Sequence, residues 1–259
     1  MKHISSRENP FFKNLIKLAQ SSRERKKQGL TLIDGTHLIE VYRERVGLPQ
    51  ILVVSESGMQ NREITTLLKK FAVLQPVVLD DGLFKDISNL VTPAGVMAVI
   101  PTPQPEKIPE KLDLCLACEG VQDPGNLGSI LRSAAAAGVQ HIFLSKDCVS
   151  AWAPRVTRAG QGAHFLLSIH EGADLFSMAR SFSGKVVATT LDTTVSLFDM
   201  DLTGALMLLI GNEGAGISAG LMAFANHKVK IPMPGGMESL NAAAAAAVCL
   251  FERVRQTNK

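Results

Sequence analysis

Short apolar runs alternate with amphipathic stretches along the whole chain, and their lengths separate strands from helices. Over the first hundred residues the expected strands are Leu30–Ile33, Ile51–Val54, Val77–Leu79 and Ala94–Ile100. The expected helices are 7–28, Thr36–Arg45, Arg62–Phe71 and Asp81–Asn89, the first carrying Phe12, Leu15, Ile16 and Leu18 as an apolar stripe among basic side chains. Strands and helices in this order predict a small α/β unit. Pro101, Pro103, Pro105 and Pro109 follow, a composition that makes a stiff, extended connector. The boundary is therefore placed at 101–110, between a first domain of 1–100 and a second of 111–259.

Leu112–Cys118 opens the second domain as a near-continuous apolar run, the pattern of a parallel strand covered on both faces. Asp123-Pro124-Gly125-Asn126 reads as a turn, Leu127–Ala137 as a helix closed by Gly138, and His141–Leu144 as a strand. Ala153–Gly162 is expected to be helical, Phe165–Ile169 extended, Ala173–Phe182 helical and Val186–Thr190 a strand. Leu206–Ile210 is another apolar strand, cut short by Gly211-Asn212-Glu213-Gly214-Ala215-Gly216. Lys228–Ile231 is the last, and Pro232–Gly236 cannot continue it. Ser239 stands where an N-cap is expected, before an alanine-rich helix over Asn241–Val248. The repetition predicts a doubly wound, Rossmann-like parallel sheet. Two Gly/Pro-rich turns after two strands leave backbone N–H and C=O groups free, which is how α/β proteins hold polar cofactors. A flat, polar ligand is expected there.

Composition narrows the class. A hydrophobic fraction of 46% with 20% charged residues is that of a soluble globular protein, and no apolar segment approaches membrane-spanning length. No signal peptide opens the sequence, and four cysteines in a chain this long do not form a disulfide framework, so a cytoplasmic protein is expected. The net charge is only +3, but residues 1–27 hold eight Lys/Arg against two Glu. A basic end on a nearly neutral body points to a polyanion, although a solvated helix would look the same. Cys115 and Cys118 lack a partner pair for zinc, and the six histidines show no ligand spacing, so no metal is expected. Gly211-x-x-Gly214-x-Gly216 with Glu238 is a scrambled dinucleotide fingerprint, but that glutamate enters a helix from a turn instead of ending a strand, against a dehydrogenase. One Trp and one Tyr supply no evident base-stacking platform.

Three stretches carry a resemblance. Asp123-Pro124-Gly125-Asn126-Leu127-Gly128-Ser129-Ile130-Leu131-Arg132, Ile210-Gly211-Asn212-Glu213-Gly214-Ala215-Gly216-Ile217-Ser218 and Ile231-Pro232-Met233 through Glu238-Ser239-Leu240-Asn241 are similar, in order and spacing, to the three motifs of the SpoU (TrmH-type) RNA ribose methyltransferases. Glu8-Asn9-Pro10 with Lys13, and Leu32-Ile33-Asp34-Gly35 through Leu38-Ile39-Glu40, more loosely resemble the ribosomal-protein-like RNA-binding module that precedes many such domains. The resemblance implies a deep trefoil knot, which periodicity cannot show. It implies methyl transfer from S-adenosylmethionine to a ribose 2′-hydroxyl, and a homodimer. The longer first domain favours ribosomal over transfer RNA. A catalytically silent RNA binder of the same fold is the alternative, and the joint presence of the motif residues argues against it.

By the same resemblance the cofactor positions are Gly211, Ile231, Met233 and Leu240, with Thr189 and Thr190 ending the preceding strand. On hydrophobicity alone Ile231 and Leu240 read as core. The catalytic positions are Asn126, Arg132, Glu213, Ser239 and Asn241. Arg132 is the family's favoured base, yet a guanidinium is essentially never neutral, and stabilising an alkoxide or clamping a phosphate suits it better. Asn126 either donates to the ribose or forms an Asx-turn, Glu213 either orients Arg132 or bonds its own loop, and Ser239 is already explained as an N-cap. The expected RNA contacts are Lys13, Arg23, Arg25 and Lys26 in the first domain, and Arg155 and Arg158 in Pro154-Arg155-Val156-Thr157-Arg158-Ala159. Ala242–Ala247 departs from relatives that carry polar or branched residues there.

Overall fold

The structure, a computed structural model, describes residues 2–88 and 92–258. Its contacts divide the chain into two compact units. One is formed by the chain up to Pro103 together with Trp152–Phe165, the other by Gln104–Ala151 and the chain from Leu166 onward. The sequence reading assigned 152–165 to the second domain; its side chains explain the difference below.

The first unit runs β1 (Lys2–Ile4), α1 (Pro10–Gln20), α2 (Ser22–Gln28), β2 (Leu30–Asp34), α3 (Thr36–Arg45), β3 (Ile51–Ser55), α4 (Arg62–Lys70), β4 (Val77–Leu79), α5 (Asp81–Ser88) and β5 (Val96–Pro101). Asn89, expected in the last helix, lies outside the described residues. The mixed sheet has the order β1-β4-β3-β5-β2, with β5 antiparallel to both its neighbours. Side chains alternate across it. Leu32, Val53, Met97 and Val99 join Phe12, Leu15, Leu18, Leu83 and Phe84 of α1 and α5 on one face. Ile33, Leu52, Val54, Ala98 and Ile100 join Leu38, Ile39, Ile64 and Leu67 of α3 and α4 on the other. β1 was not foreseen, because three residues with two exposed offer no readable alternation.

The single helix expected over 7–28 is two. Ser21 adopts φ −116° and ψ 114°, its N–H closing α1 on Lys17 and its Oγ accepting from Glu24 N to start α2. Arg25, expected on the RNA face, is instead 4% exposed, and its guanidinium donates to the carbonyls of Leu18 (2.9 Å) and Ala19 (3.3 Å). It satisfies acceptors that the end of α1 leaves open.

The second unit begins with β6 (Leu114–Cys118), α6 (Pro124–Ala136) and β7 (His141–Leu144). Asp123-Pro124 is not a free turn, because Asp123 caps α6 and Pro124 is its first residue. The chain next supplies α7 (Pro154–Gly160) to the first unit. There Thr31 Oγ1 donates to the Trp152 carbonyl at 2.8 Å, and Arg158 forms an ion pair with the buried Asp34 carboxylate. Phe165 meets the Tyr42 ring edge-on. These contacts keep 152–165 with the first unit. Burial pushes the Asp34 carboxyl up, while Arg158 and Ser88 pull it down without cancelling that.

The second unit resumes with β8 (Ser168–Glu171), α8 (Leu175–Ser181), β9 (Lys185–Thr189), β10 (Leu206–Ile210), α9 (Ala219–Met222), β11 (His227–Val229) and α10 (Ala242–Thr257). Its sheet is parallel throughout, in the order β11-β9-β10-β6-β7-β8. All residues of β6 and β10 are buried, as their continuous apolar runs predict. Cys115, Phe143, Met207 and Leu209 pack on one face with Leu175 and Ala179 of α8, and α10 packs against α6. Cys115 and Cys118 sit on opposite faces of β6; burial pushes the first thiol up to about 12 and the second well above its usual value. Burial likewise raises Cys249, to about 12, and Cys148.

Replacing Arg25 by Ala strands two helix-end carbonyls and removes buried packing, so the full chain is expected to lose about 1–3 kcal/mol in urea unfolding. Lys26→Ala, an exposed neighbour, should change stability by less than about 0.5 kcal/mol.

Candidate functional site

β6 and β10 are neighbours although their paired residues are 92 apart in sequence, in the register Leu114↔Leu206 to Cys118↔Ile210. Their carboxyl ends therefore emerge side by side, the place where open α/β sheets bind ligands. A cavity of about 610 Å³ opens there, walled by Thr189–Asp192 after β9, Ile210–Ile217 after β10, and residues beyond β11 that include Ile231, Met233 and Glu238–Leu240. Thr189, Thr190, Gly211, Ile231, Met233 and Leu240 all line it, so the expected cofactor positions converge. Ile231 does so because β11 stops at Val229, two residues before the expected strand end.

The wall after β10 is shaped by its own hydrogen bonds. Asn212 and Gly216 exchange two backbone hydrogen bonds of 2.9 Å, and Asn212 Oδ1 accepts from Gly214 N and Ala215 N, both at 2.9 Å. Any Cβ on Gly211 would overlap the backbone of Gly216 and Ile217. Asn212 Nδ2 reaches across to the Gly120 carbonyl at 2.7 Å. Asn212 was not singled out from the sequence, although it lies within the second motif. Asp192, another cavity residue, belongs to no motif.

Glu213 joins the second motif to the first. Its carboxylate accepts from Asp123 N (3.0 Å), Gln122 N (3.2 Å) and Asn126 Nδ2 (3.2 Å), while Asp123 Oδ1 accepts from Asn126 N (2.7 Å). Burial pushes the Glu213 carboxyl up, but these donors together outweigh it and leave it below the usual carboxylate range. Asn126 thus holds the loop through Glu213, and Glu213 bonds the first motif and not Arg132. Arg132 lies about 9 Å further along α6 by helical rise. It is exposed, makes no hydrogen bond or ion pair with another described residue, and does not line the cavity.

In the third motif Ser239 lines the cavity but is not the N-cap. That role belongs to Asn241, whose Oδ1 accepts from Ala244 N at 2.7 Å, so α10 starts at Ala242. Asn241 is exposed and outside the cavity lining. Within the first unit Lys13, Arg23, Lys26 and Arg155 are exposed, Lys13 pairing with Glu8. Arg25 and Arg158 are committed to internal partners, as described above. His3 within β1 and Glu56 and Asp80 directly after β3 and β4 bring one ligand-type atom each within 4.8 Å of one another, a grouping that spacing did not foresee.

Gly211→Ala is expected to open the wall and weaken cofactor binding at least about tenfold, read by calorimetry. The Glu213 tie has a definite acid sensitivity. A carboxyl held below its unfolded value of 4.5 contributes fully above that pH and loses its contribution as pH falls through the lower folded value. Acid unfolding of the wild type should therefore be steeper below pH 4.5 than that of Glu213→Gln.

A model of the SpoU rRNA Methylase family matches residues 113–251, and one of the MRM3-like substrate binding domain matches residues 9–98. An uncharacterized tRNA/rRNA methyltransferase of Synechocystis is 35% identical over 98% of this chain and 93% of its own length. RlmP of Bacillus subtilis, a 23S rRNA (guanosine(2553)-2′-O)-methyltransferase, is 29% identical over 97% of this chain and 98% of its own. The crystal structure of an AdoMet-bound rRNA methyltransferase from Sinorhizobium meliloti superposes with a TM-score of 0.81 at 27% identity, covering 98% of this chain and 97% of that one. With its motifs gathered around one cavity and the family model spanning more than half its length, the chain belongs to the SpoU rRNA methylase family.

Proposed function

We propose that this chain transfers a methyl group from S-adenosylmethionine to a ribose 2′-hydroxyl of ribosomal RNA. The observation that carries the reading is the convergence of Thr189, Thr190, Gly211, Ile231, Met233 and Leu240 on one cavity whose Glu213 is bonded to the first motif. The cavity volume suits a small ligand, and its lining carries Asp192, Glu213 and Glu238 but no Lys, Arg or His, a donor set that fits a cationic cofactor. When bound, S-adenosylmethionine supplies a methyl group on a sulfonium that leaves as a neutral thioether. The six converging residues would hold it, and the loop bonded by Glu213 and Asn126 fixes the start of α6. Held geometry of this kind is the largest lever on an in-line transfer.

Arg132 is an exposed cation with its donors free among the described residues. A guanidinium stays protonated, so its role is to clamp the phosphate beside the target ribose or to stabilise the developing alkoxide, not to take the proton. The name of RlmP and the substrate-binding match over 9–98 support ribosomal RNA, and exposed Lys13, Arg23, Lys26 and Arg155 offer phosphate contacts. Transfer RNA is the second reading, favoured by the Synechocystis relative, whose description covers both RNAs. The first unit is the RNA-binding domain in this account.

The trefoil knot belongs to the same proposal. Lys230, directly after the edge strand β11, is bonded to Val195 and Leu197, whereas α10 packs on α6, so the chain between them recrosses the sheet ends. A homodimer is supported by Phe198 and Phe251, half-exposed on contacting elements of the second unit. A cytoplasmic location is part of the same proposal.

The test is transfer of labelled methyl from S-adenosylmethionine to ribosomal RNA. Label in alkali-resistant dinucleotides, reduced at least about a hundredfold in Arg132→Ala with cofactor affinity within about threefold, is the expected result. Cofactor binding without transfer to ribosomal or transfer RNA would point to an assembly intermediate as substrate, whereas no cofactor binding would favour the silent RNA binder.

A further inference from the structure

We infer that Glu119 is a positioning residue for the cofactor cavity, acting through Ser218. The inference rests on the methyltransferase reading above, because it assigns the cavity to S-adenosylmethionine. Glu119 directly follows β6, and its N–H donates to the carbonyl of Ile210, the last residue of β10, at 2.8 Å. Its side chain turns to the far end of the same loop. Oε2 accepts from Ser218 N and Oε1 from Ser218 Oγ, both at 2.7 Å. Between these anchors lie Gly211 to Ile217, every one of which lines the cavity. One residue therefore grips the cavity wall at both ends, with its backbone at the start and its carboxylate at the finish.

The grip is directional. Ser218 Oγ, while donating to Glu119, accepts from Leu221 N at 3.2 Å and so caps α9. Capping alone would need no carboxylate. With both oxygens on Ser218, Glu119 fixes where α9 begins relative to β6, and hence where Ile217 and Met222 stand in the wall. Gly120, the next residue, accepts from Asn212 Nδ2 and donates to Ser145 Oγ at 3.0 Å, so the platform under Glu119 is itself tied to the end of β7. Without the side-chain bonds the wall would keep its internal hairpin bonds but lose its far anchor. Cofactor binding would then have to order it.

The discriminating variants are Glu119→Ala, Glu119→Gln, Ser218→Ala and Ser218→Thr. Affinity for S-adenosylmethionine is read by calorimetry, methyl transfer by labelling of ribosomal RNA, and folding by thermal melting. Glu119→Ala is expected to raise the Kd and the KM for S-adenosylmethionine about tenfold while kcat at saturating cofactor stays within about twofold. Ser218→Thr, which keeps both donors, should bind like wild type, and Ser218→Ala, which keeps only the N–H, should fall between. Adding Glu119→Ala to Ser218→Ala should weaken binding by a smaller factor than it does in the wild type. Glu119→Gln, which keeps one acceptor, carries the test if the alanine variant does not fold. An unchanged Kd in folded Glu119→Ala or Glu119→Gln overturns the inference, as does a fall in kcat matching a loss of melting temperature. A wild type that binds no S-adenosylmethionine sinks the methyltransferase reading itself, whereas wild-type binding with indifferent variants sinks only the role of Glu119.

Discussion

The parallel pairing of β6 with β10 is the constraint on which the rest of the second unit depends. The strands are distant in sequence, so their adjacency inserts β10 between β9 and β6 and leaves the loops after β6, β9 and β10 crowded at one end of the sheet. Parallel strands covered on both faces need continuous apolar side chains, and Leu-Cys-Leu-Ala-Cys and Leu-Met-Leu-Leu-Ile supply them. A one-residue slip would displace every bond that crosses between the two loops, because each is measured from the ends of these strands. The site is thus a product of sheet register first and of polar chemistry second.

That polar chemistry is largely backbone chemistry. Glu213 accepts two main-chain N–H groups, Asn212 binds two more and a carbonyl, and Asp123 caps the helix that carries Arg132. Side chains of the motifs are committed to holding the loops that wall the cavity. Preorganisation of this sort explains why short polar residues and glycines dominate the motifs.

Much of this was legible in the sequence, for stated reasons. Apolar strands of the second unit stand out because both their faces are buried, and the convergence of Gly211, Ile231 and Leu240 follows from motif order. What escaped depends on partners remote in sequence or on local competition. Arg158 looks like a phosphate ligand until Asp34, 124 residues away, takes it. Arg25 belongs to a basic cluster but turns inward, because the break at Ser21 leaves carbonyls that need a donor. Ser239 and Asn241 are both good caps, and only the actual start of α10 decides between them. Trp152–Phe165 joins the first unit through Thr31, Asp34 and Tyr42, none of which marks itself as an acceptor of a returning segment.

The cysteines have a practical corollary. The thiolate is the species that alkylating reagents and oxidants attack, and Cys115, Cys118, Cys148 and Cys249 are all held toward the neutral thiol by burial. None is joined in a disulfide. A single cysteine introduced on the exposed surface would therefore stand out chemically against the buried Cys115, Cys118 and Cys249, and only the half-buried Cys148 would call for replacement before fluorophores or spin labels are attached.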